Sequence, residues 1–158
     1  MAVFEAKTQE KRDIFIKCMR DMIKYLQMEK DFDQWNKLKK KIHNSNEILE
    51  SFPREGEVWV CTLGWNIGRE QNGAIDGFSR PVLIVKKFNN QMFWIVPLST
   101  KQKPYDFYFN FTDPKGEKVS IILAQLRLLS VKRFGRLLYL FPQEKFEQVV
   151  LSLKKFFP

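Results

Sequence analysis

The first fifty residues contain neither glycine nor proline; all seven of each lie in residues 51–158. A stretch lacking both has no ready turn former or helix breaker, so the change in composition near Ser51-Phe52-Pro53 marks a boundary between a helical part and one built of short elements. A single histidine, His43, falls in the helical part and reads as a surface residue, which excludes His-His and Ser-His-Asp chemistry in the remainder. The two cysteines, Cys18 and Cys61, are far apart and each sits among apolar neighbours. They form no disulfide framework and no zinc pattern, and a reducing cytoplasm is the expected setting. There is no CxxC, HxxxH or EF-hand spacing, and Gly64–Gly68 matches neither a phosphate loop nor a dinucleotide fingerprint, so no metal or cofactor is expected. No apolar run approaches about 18 residues, and Met1–Arg12 carries charges of both signs, so neither a membrane span nor a signal peptide is expected.

What is present suffices for a core: 44% of the 158 residues are hydrophobic and 15% aromatic, 15 of them Phe. Lys and Arg outnumber Asp and Glu 27 to 18, a net +9 that favours a polyanionic partner. Residues 1–50 hold 11 basic and 9 acidic residues, so +7 of that surplus belongs to the rest of the chain.

In the helical part, Phe15, Met19, Met22 and Leu26, widened by Ile16 and Ile23, recur at the spacing of one helix face. Asp31, with Gln34 three residues on, reads as an N-cap, and Phe32, Trp35, Leu38 and Ile42 form the apolar face of a second helix. Beyond Pro53, β-rich runs cover Glu57–Leu63, Pro81–Lys87, Met92–Leu98, Tyr105–Phe111 and Val119–Leu123. Turn residues such as Asn89-Asn90, Lys103-Pro104 and Asp113-Pro114-Lys115-Gly116 separate them. Short strands without long helices between them predict an α+β, mainly β fold, a small antiparallel sheet curled into a barrel. Pro142 and the face Phe146, Val149, Val150, Leu153 and Phe157 predict a closing helix. The chain thus divides into a helical extension, 1–50, and a barrel domain, 54–158.

Polar residues cluster where the strand pattern breaks. A loop with four glycines follows the first strand, and Arg80-Pro81 ends it just before an apolar run; such loops commonly carry binding residues. The guanidinium of Arg80, at the foot of a strand, suits bidentate contact with phosphate, and Ser99, Thr100 and Lys101 place two hydroxyls and a cation at another strand end. On residues alone, the plainer reading makes Arg80 a surface salt-bridge residue and Ser99-Thr100 a turn.

The order of these segments resembles the MazF/PemK toxin family. The matching motifs are Gly56-Glu57-Val58-Trp59-Val60, Gly68-Arg69-Glu70-Gln71-Asn72-Gly73, Arg80-Pro81-Val82-Leu83-Ile84, Val96-Pro97-Leu98-Ser99-Thr100 and Ile122-Leu123-Ala124-Gln125-Leu126-Arg127. The resemblance spans residues 54–157 and implies an SH3-like barrel with a C-terminal helix, working as a homodimer. It further implies metal-independent cleavage of single-stranded RNA, chiefly mRNA, and a cognate antitoxin, acidic and partly disordered. Carried over, the catalytic positions are Arg80 and Ser99, with Thr100 helping. Glu70 is the nearby carboxylate, Gln71, Gln125 and Arg127 are RNA contacts, and Lys101, read from its place at the strand end, is a further expected contact. Ser99-Thr100 reverses the family's Thr-Ser order, Ala124 and Ser130 stand where many relatives are acidic, and the loop before Arg80 is roughly five residues longer. A non-catalytic inhibitor like CcdB, or a plain single-stranded RNA-binding module using Trp65 and Phe78, is compatible with the same fold class.

Overall fold

The structure, a computed structural model, describes Arg12, Ile16, Lys17, Met19 and residues 32–46, 52–74 and 78–158. The chain divides into two compact units, Met1–Leu38 and Lys39–Pro158. Helix α1 covers residues 32–44, and the positions expected to form its apolar face are those withdrawn from solvent: Trp35 is buried, and Phe32, Leu38 and Ile42 are half-buried. Ile16 and Met19 are helical and exposed; Phe15, Cys18, Met22, Ile23, Leu26 and Asp31 lie outside the described residues. The exposed His43 lies in the last turn of α1, and its carbonyl accepts a hydrogen bond from Lys132 Nζ at 2.6 Å, a cation on a helix C-terminus.

Among the described residues seven strands follow: β1 Glu57–Thr62, β2 Ser79–Lys87, β3 Met92–Ser99, β4 Tyr108–Thr112, β5 Lys118–Ile122, β6 Arg127–Ser130 and β7 Phe134–Leu140. Helix α2, Gln143–Lys154, ends the chain. The sheet runs β4-β5-β3-β2-β1-β7, every pairing antiparallel. One edge of β3 is shared: β5 pairs with Leu98 and Ser99, and β6 with Met92–Ile95, a 3-10 turn at Leu123–Gln125 joining the two. Among the described residues the expected barrel is therefore curled but open, with β4 and β7 at the ends of the strand order.

The near-continuous apolar runs of β1 to β3 have a direct cause. Alternate residues point to opposite faces, and here both faces are covered. Val58, Leu83, Val85, Val96 and Leu98 join Phe111, Ile121, Phe141, Val149 and Leu153 in one core. Trp59, Cys61, Val82, Ile84, Phe93 and Ile95 join Leu129 and Phe134 in the other. Phe134 locks the second core, with Phe93 at 5.1 Å and Trp59 edge-on at 5.9 Å. Burial pushes the Cys61 thiol well above its ordinary range, which marks it as a packing residue.

The five expected strands are present, with one shifted start. Tyr105 is not in β4; Pro104 precedes it, and the Tyr108 N–H donates to the Tyr105 carbonyl at 3.0 Å, closing a turn. Strands β6 and β7 went unanticipated, because residues 126–141 mix helical and strand spacings, and pairing with β3 and β1 decides between them. Helix α2 buries Val149 and Leu153 as expected, whereas Phe157 lies past its end and is exposed. Phe93→Ala is expected to cost about 3–5 kcal/mol, because its ring is fully buried; chemical denaturation with unchanged m checks this.

Candidate functional site

The open seam holds a cleft of about 860 Å³. Tyr108 and the β4–β5 turn with Asp113, Lys115 and Glu117, Arg136–Tyr139 of β7, and Arg80, Ser99, Thr100 and Lys101 line it. Five sequence-predicted residues meet here, Gln71 being the fifth. Glu70, Gln125 and Arg127 are not among the lining residues.

Strand register explains why Arg80 and Ser99 meet. Arg80 pairs with Cys61 on β1, and carrying the Val82↔Pro97 register two residues further sets Ser99 across from Arg80. Ser99 itself pairs with Ser120 on β5. The guanidinium is fixed at two points: Nε donates to the Asn72 carbonyl at 2.6 Å, and Nη1 to the Leu98 carbonyl at 2.9 Å. Among the described residues no acceptor meets Nη2. Desolvation lowers the Arg80 pKa from its ordinary value, as half-burial does to a cation. The salt-bridge reading of Arg80 is not what the structure shows: its hydrogen bonds go to backbone carbonyls.

Ser99 is half-buried, and its Oγ accepts the Lys101 N–H at 3.1 Å, which leaves its hydroxyl proton to donate. Thr100 and Lys101 are exposed. Four bonds hold the loop beyond Ser99: Ser120 Oγ donates to the Lys101 carbonyl (2.9 Å), Gln102 Nε2 to the Phe111 and Val119 carbonyls (3.2 and 3.1 Å), and Asn110 Nδ2 to the Lys103 carbonyl (3.0 Å).

The glycine-rich loop is braced as firmly. Asn66 Nδ2 donates to the Gln71 carbonyl at 2.9 Å, and the Asn66 N–H donates to Asn72 Oδ1 at 2.6 Å. Gln125 clamps the loop from outside: its Oε1 accepts the Gln71 N–H at 3.0 Å, and its Nε2 donates to the Arg69 carbonyl at 3.1 Å. Both ends of that amide are thus engaged with protein. Glu70 is exposed and close enough to Arg127 for its charge to oppose the lowering that burial imposes on that half-buried guanidinium. Arg133 is lowered by burial and by the nearby charge of Arg127, while its Nη1 holds the end of β1 at the Thr62 carbonyl (3.1 Å).

The sequence reading missed Lys103, Lys115, Arg136 and Tyr139 as cleft residues. Lys103 and Lys115 lie in segments recognised as turns, so the +7 surplus was the available signal; Arg136 and Tyr139 belong to the unanticipated β7. Burial, with the charge of Asp113 adding to it, pushes the Tyr139 hydroxyl up to about 12. Among the described residues, no group of three or more His, Cys, Asp or Glu is placed to hold a metal, and no helix is long and apolar enough to cross a membrane.

A small, open antiparallel sheet with an anion-ready cleft at its seam defines a class, and the comparisons give the family. The model of the PemK-like, MazF-like toxins of type II toxin-antitoxin systems matches residues 54–157, and the chain belongs to that family. No curated protein matches the chain significantly. Among solved structures, it is similar to MazF from Deinococcus radiodurans, with TM-score 0.56 and 20% identity over 67% of this chain and 96% of that one. A MazE-MazF complex from the same organism matches with TM-score 0.54 and 20% identity, over 67% and 96%. An endoribonuclease in complex with its cognate antitoxin from Mycobacterial species matches with TM-score 0.52 and 16% identity, over 65% and 92%. These likenesses are of fold.

Two outcomes follow from the geometry. A Cβ on Gly73 would collide with the backbone of Phe78, so Gly73→Ala is expected to lower stability by about 1–3 kcal/mol, read by chemical denaturation. Tyr139 has a folded pKa above its unfolded value, so its contribution is complete below pH of about 10 and is lost as pH rises toward about 12. Tm of Tyr139→Phe should therefore fall less steeply than wild type across that window.

Proposed function

We propose that the chain is the toxin of a toxin-antitoxin pair and cuts single-stranded RNA at chosen sequences without a metal. The observation that carries this reading is the Arg80 guanidinium, held beside Ser99 by two backbone carbonyls with no acceptor at Nη2 among the described residues, in a cleft where five cations outnumber the carboxylates Asp113 and Glu117. A cation fixed in that way favours an anion, and the surrounding Lys101, Lys103, Lys115 and Arg136 favour a polyanion.

RNA carries its own nucleophile. The 2′-oxygen attacks the adjacent phosphorus, the P–O5′ bond breaks, the 2′-proton is released and the 5′-oxygen gains one, leaving a 2′,3′-cyclic phosphate and a 5′-hydroxyl. Arg80 stabilises the charge gathering on the phosphoryl oxygens and supplies an N–H toward the leaving oxygen. The Ser99 hydroxyl, oriented by the Lys101 N–H, donates to a non-bridging oxygen. Thr100, exposed one residue on, assists in seating the phosphate. Arginine stays protonated and is no base for the 2′-hydroxyl; Glu70 is assigned that task or, through its attraction for Arg127, the positioning of that cation on the strand. Gln71 and Lys101 meet the strand within the cleft, and Gln125 keeps the loop that carries Gln71 in place. The antitoxin is an acidic chain that covers the same basic surface, and the working form is a homodimer.

The test is incubation of purified protein with a long single-stranded RNA in EDTA and mapping of both product ends. Discrete cuts with cyclic phosphate and 5′-hydroxyl ends are expected. Arg80→Ala should lower kcat/KM by about 100- to 1000-fold, and Ser99→Ala should cost more than Thr100→Ala. For Glu70→Gln, a loss in kcat of about 100-fold assigns it the proton, and a rise in KM alone assigns it to positioning Arg127. Near-wild-type cutting by Arg80→Ala overturns the assignment. Absence of cuts from folded dimer favours the CcdB-like inhibitor.

A further inference from the structure

Tyr105, Phe107 and Tyr108 stand beside the cleft and belong to neither hydrophobic core, although Phe109 and Phe111, next along the same segment, pack into one. Their rings pack on one another: Tyr105 and Phe107 are parallel, with centroids 5.2 Å apart and 7° between planes, and Tyr108 leans on Phe107 at 5.2 Å and on Tyr105 at 6.2 Å. Phe107 backs one side of Tyr105, yet Tyr105 remains 54% exposed. Apolar rings assembled outside the core and left open to water call for a ligand with a flat apolar face.

The surface is rigid and continuous with the cleft. The Tyr108 N–H closes the turn on the Tyr105 carbonyl, and the Phe107 carbonyl accepts the Leu123 N–H at 2.9 Å. Asn110 fixes the Lys103 carbonyl, and Lys103 Nζ lies 5.5 Å over the Tyr108 ring. Lys103 and Tyr108 also line the cleft that holds Arg80 and Ser99. Asp106 is the one acidic residue of the turn, and Lys101 and Lys103 precede it.

We propose that the Tyr105–Tyr108 turn is a base-stacking step for a nucleotide flanking the scissile phosphate. The base lies on the exposed face of Tyr105, and Lys101 and Lys103 meet the phosphates that lead from it into the cleft. This rests on the reading of the cleft as a single-stranded RNA site. Stacking of this kind tolerates any base and favours purines by their larger faces, so the step sets affinity and the path of the strand more than the sequence read.

The test uses binding, separately from cutting. Full-length protein is titrated with 2′-O-methyl oligoadenylate and oligouridylate, which lack the attacking hydroxyl, and with an all-abasic phosphodiester strand of equal length. Tyr105→Ala should weaken the base-bearing strands about 5- to 100-fold, more for adenylate, and leave the abasic strand unchanged. Tyr105→Trp should restore affinity. Equal weakening of all three strands, or of none, overturns the proposal, as does wild-type protein that binds the abasic strand as tightly as the others. Loss of self-association by Tyr105→Ala with strand affinity unchanged makes the turn a protein contact and also overturns it. Strand binding that follows the expected pattern without any cutting of RNA in EDTA sinks the nuclease reading and leaves the stacking step standing.

Discussion

Burial of both faces of β1, β2 and β3 is the constraint from which the architecture follows. Strands covered on both sides cannot serve as edges facing water, so they take the middle of the sheet and the ends fall to β4 and β7. The seam between those ends is where the curled sheet stays open, and the polar ends of β2 and β3 emerge there. The cleft is thus a consequence of how the sheet stops, and the same register that packs Val82 and Ile84 inside sets Arg80 against Ser99 outside.

Backbone carbonyls carry much of the positioning. Arg80 is held by Asn72 and Leu98, Arg133 by Thr62, and Gln125 grips the Arg69 carbonyl. A cation satisfied by carbonyl dipoles keeps its full charge available to an incoming anion, whereas one paired with a carboxylate would have to surrender that partner first. Part of the +7 of the second part is displayed at the seam, where Arg80, Lys101, Lys103, Lys115 and Arg136 outnumber Glu117 and Asp113, and Asp113 is turned to the service of its own loop, its Oδ1 accepting the N–H groups of Lys115 and Glu117.

Much of the fold was legible because period and punctuation agreed. Val58 to Cys61, Val82 to Val85 and Phe93 to Leu98 are apolar runs bounded by turn residues, and Pro142 announced α2. Residues 126–141 were illegible because Leu126, Leu128, Leu129, Phe134, Leu137, Leu138 and Leu140 satisfy neither period cleanly, and the register shifts in the β1–β7 pairing show that the strand yields to its partner. At the site, Arg80, Ser99, Thr100 and Gln71 were readable together from motif order, and Lys101 from its place at the end of a strand. The position of Glu70 and Arg127 outside the cleft lining was not, since a loop's path is set by bonds such as that from the Gln71 N–H to Gln125, 54 residues away in sequence.

The sequence by itself determined the composition of the two faces, the turns, the closing helix and the chemical types at the strand ends, because each depends on residues a few positions apart. Tertiary structure alone decided that the sheet stays open between β4 and β7, that Arg136 and Tyr139 line the same cleft as Tyr108, and that Tyr105, Phe107 and Tyr108 gather outside the core. Those outcomes depend on which strands find one another, and pairing across long loops is fixed by the packing of the whole core.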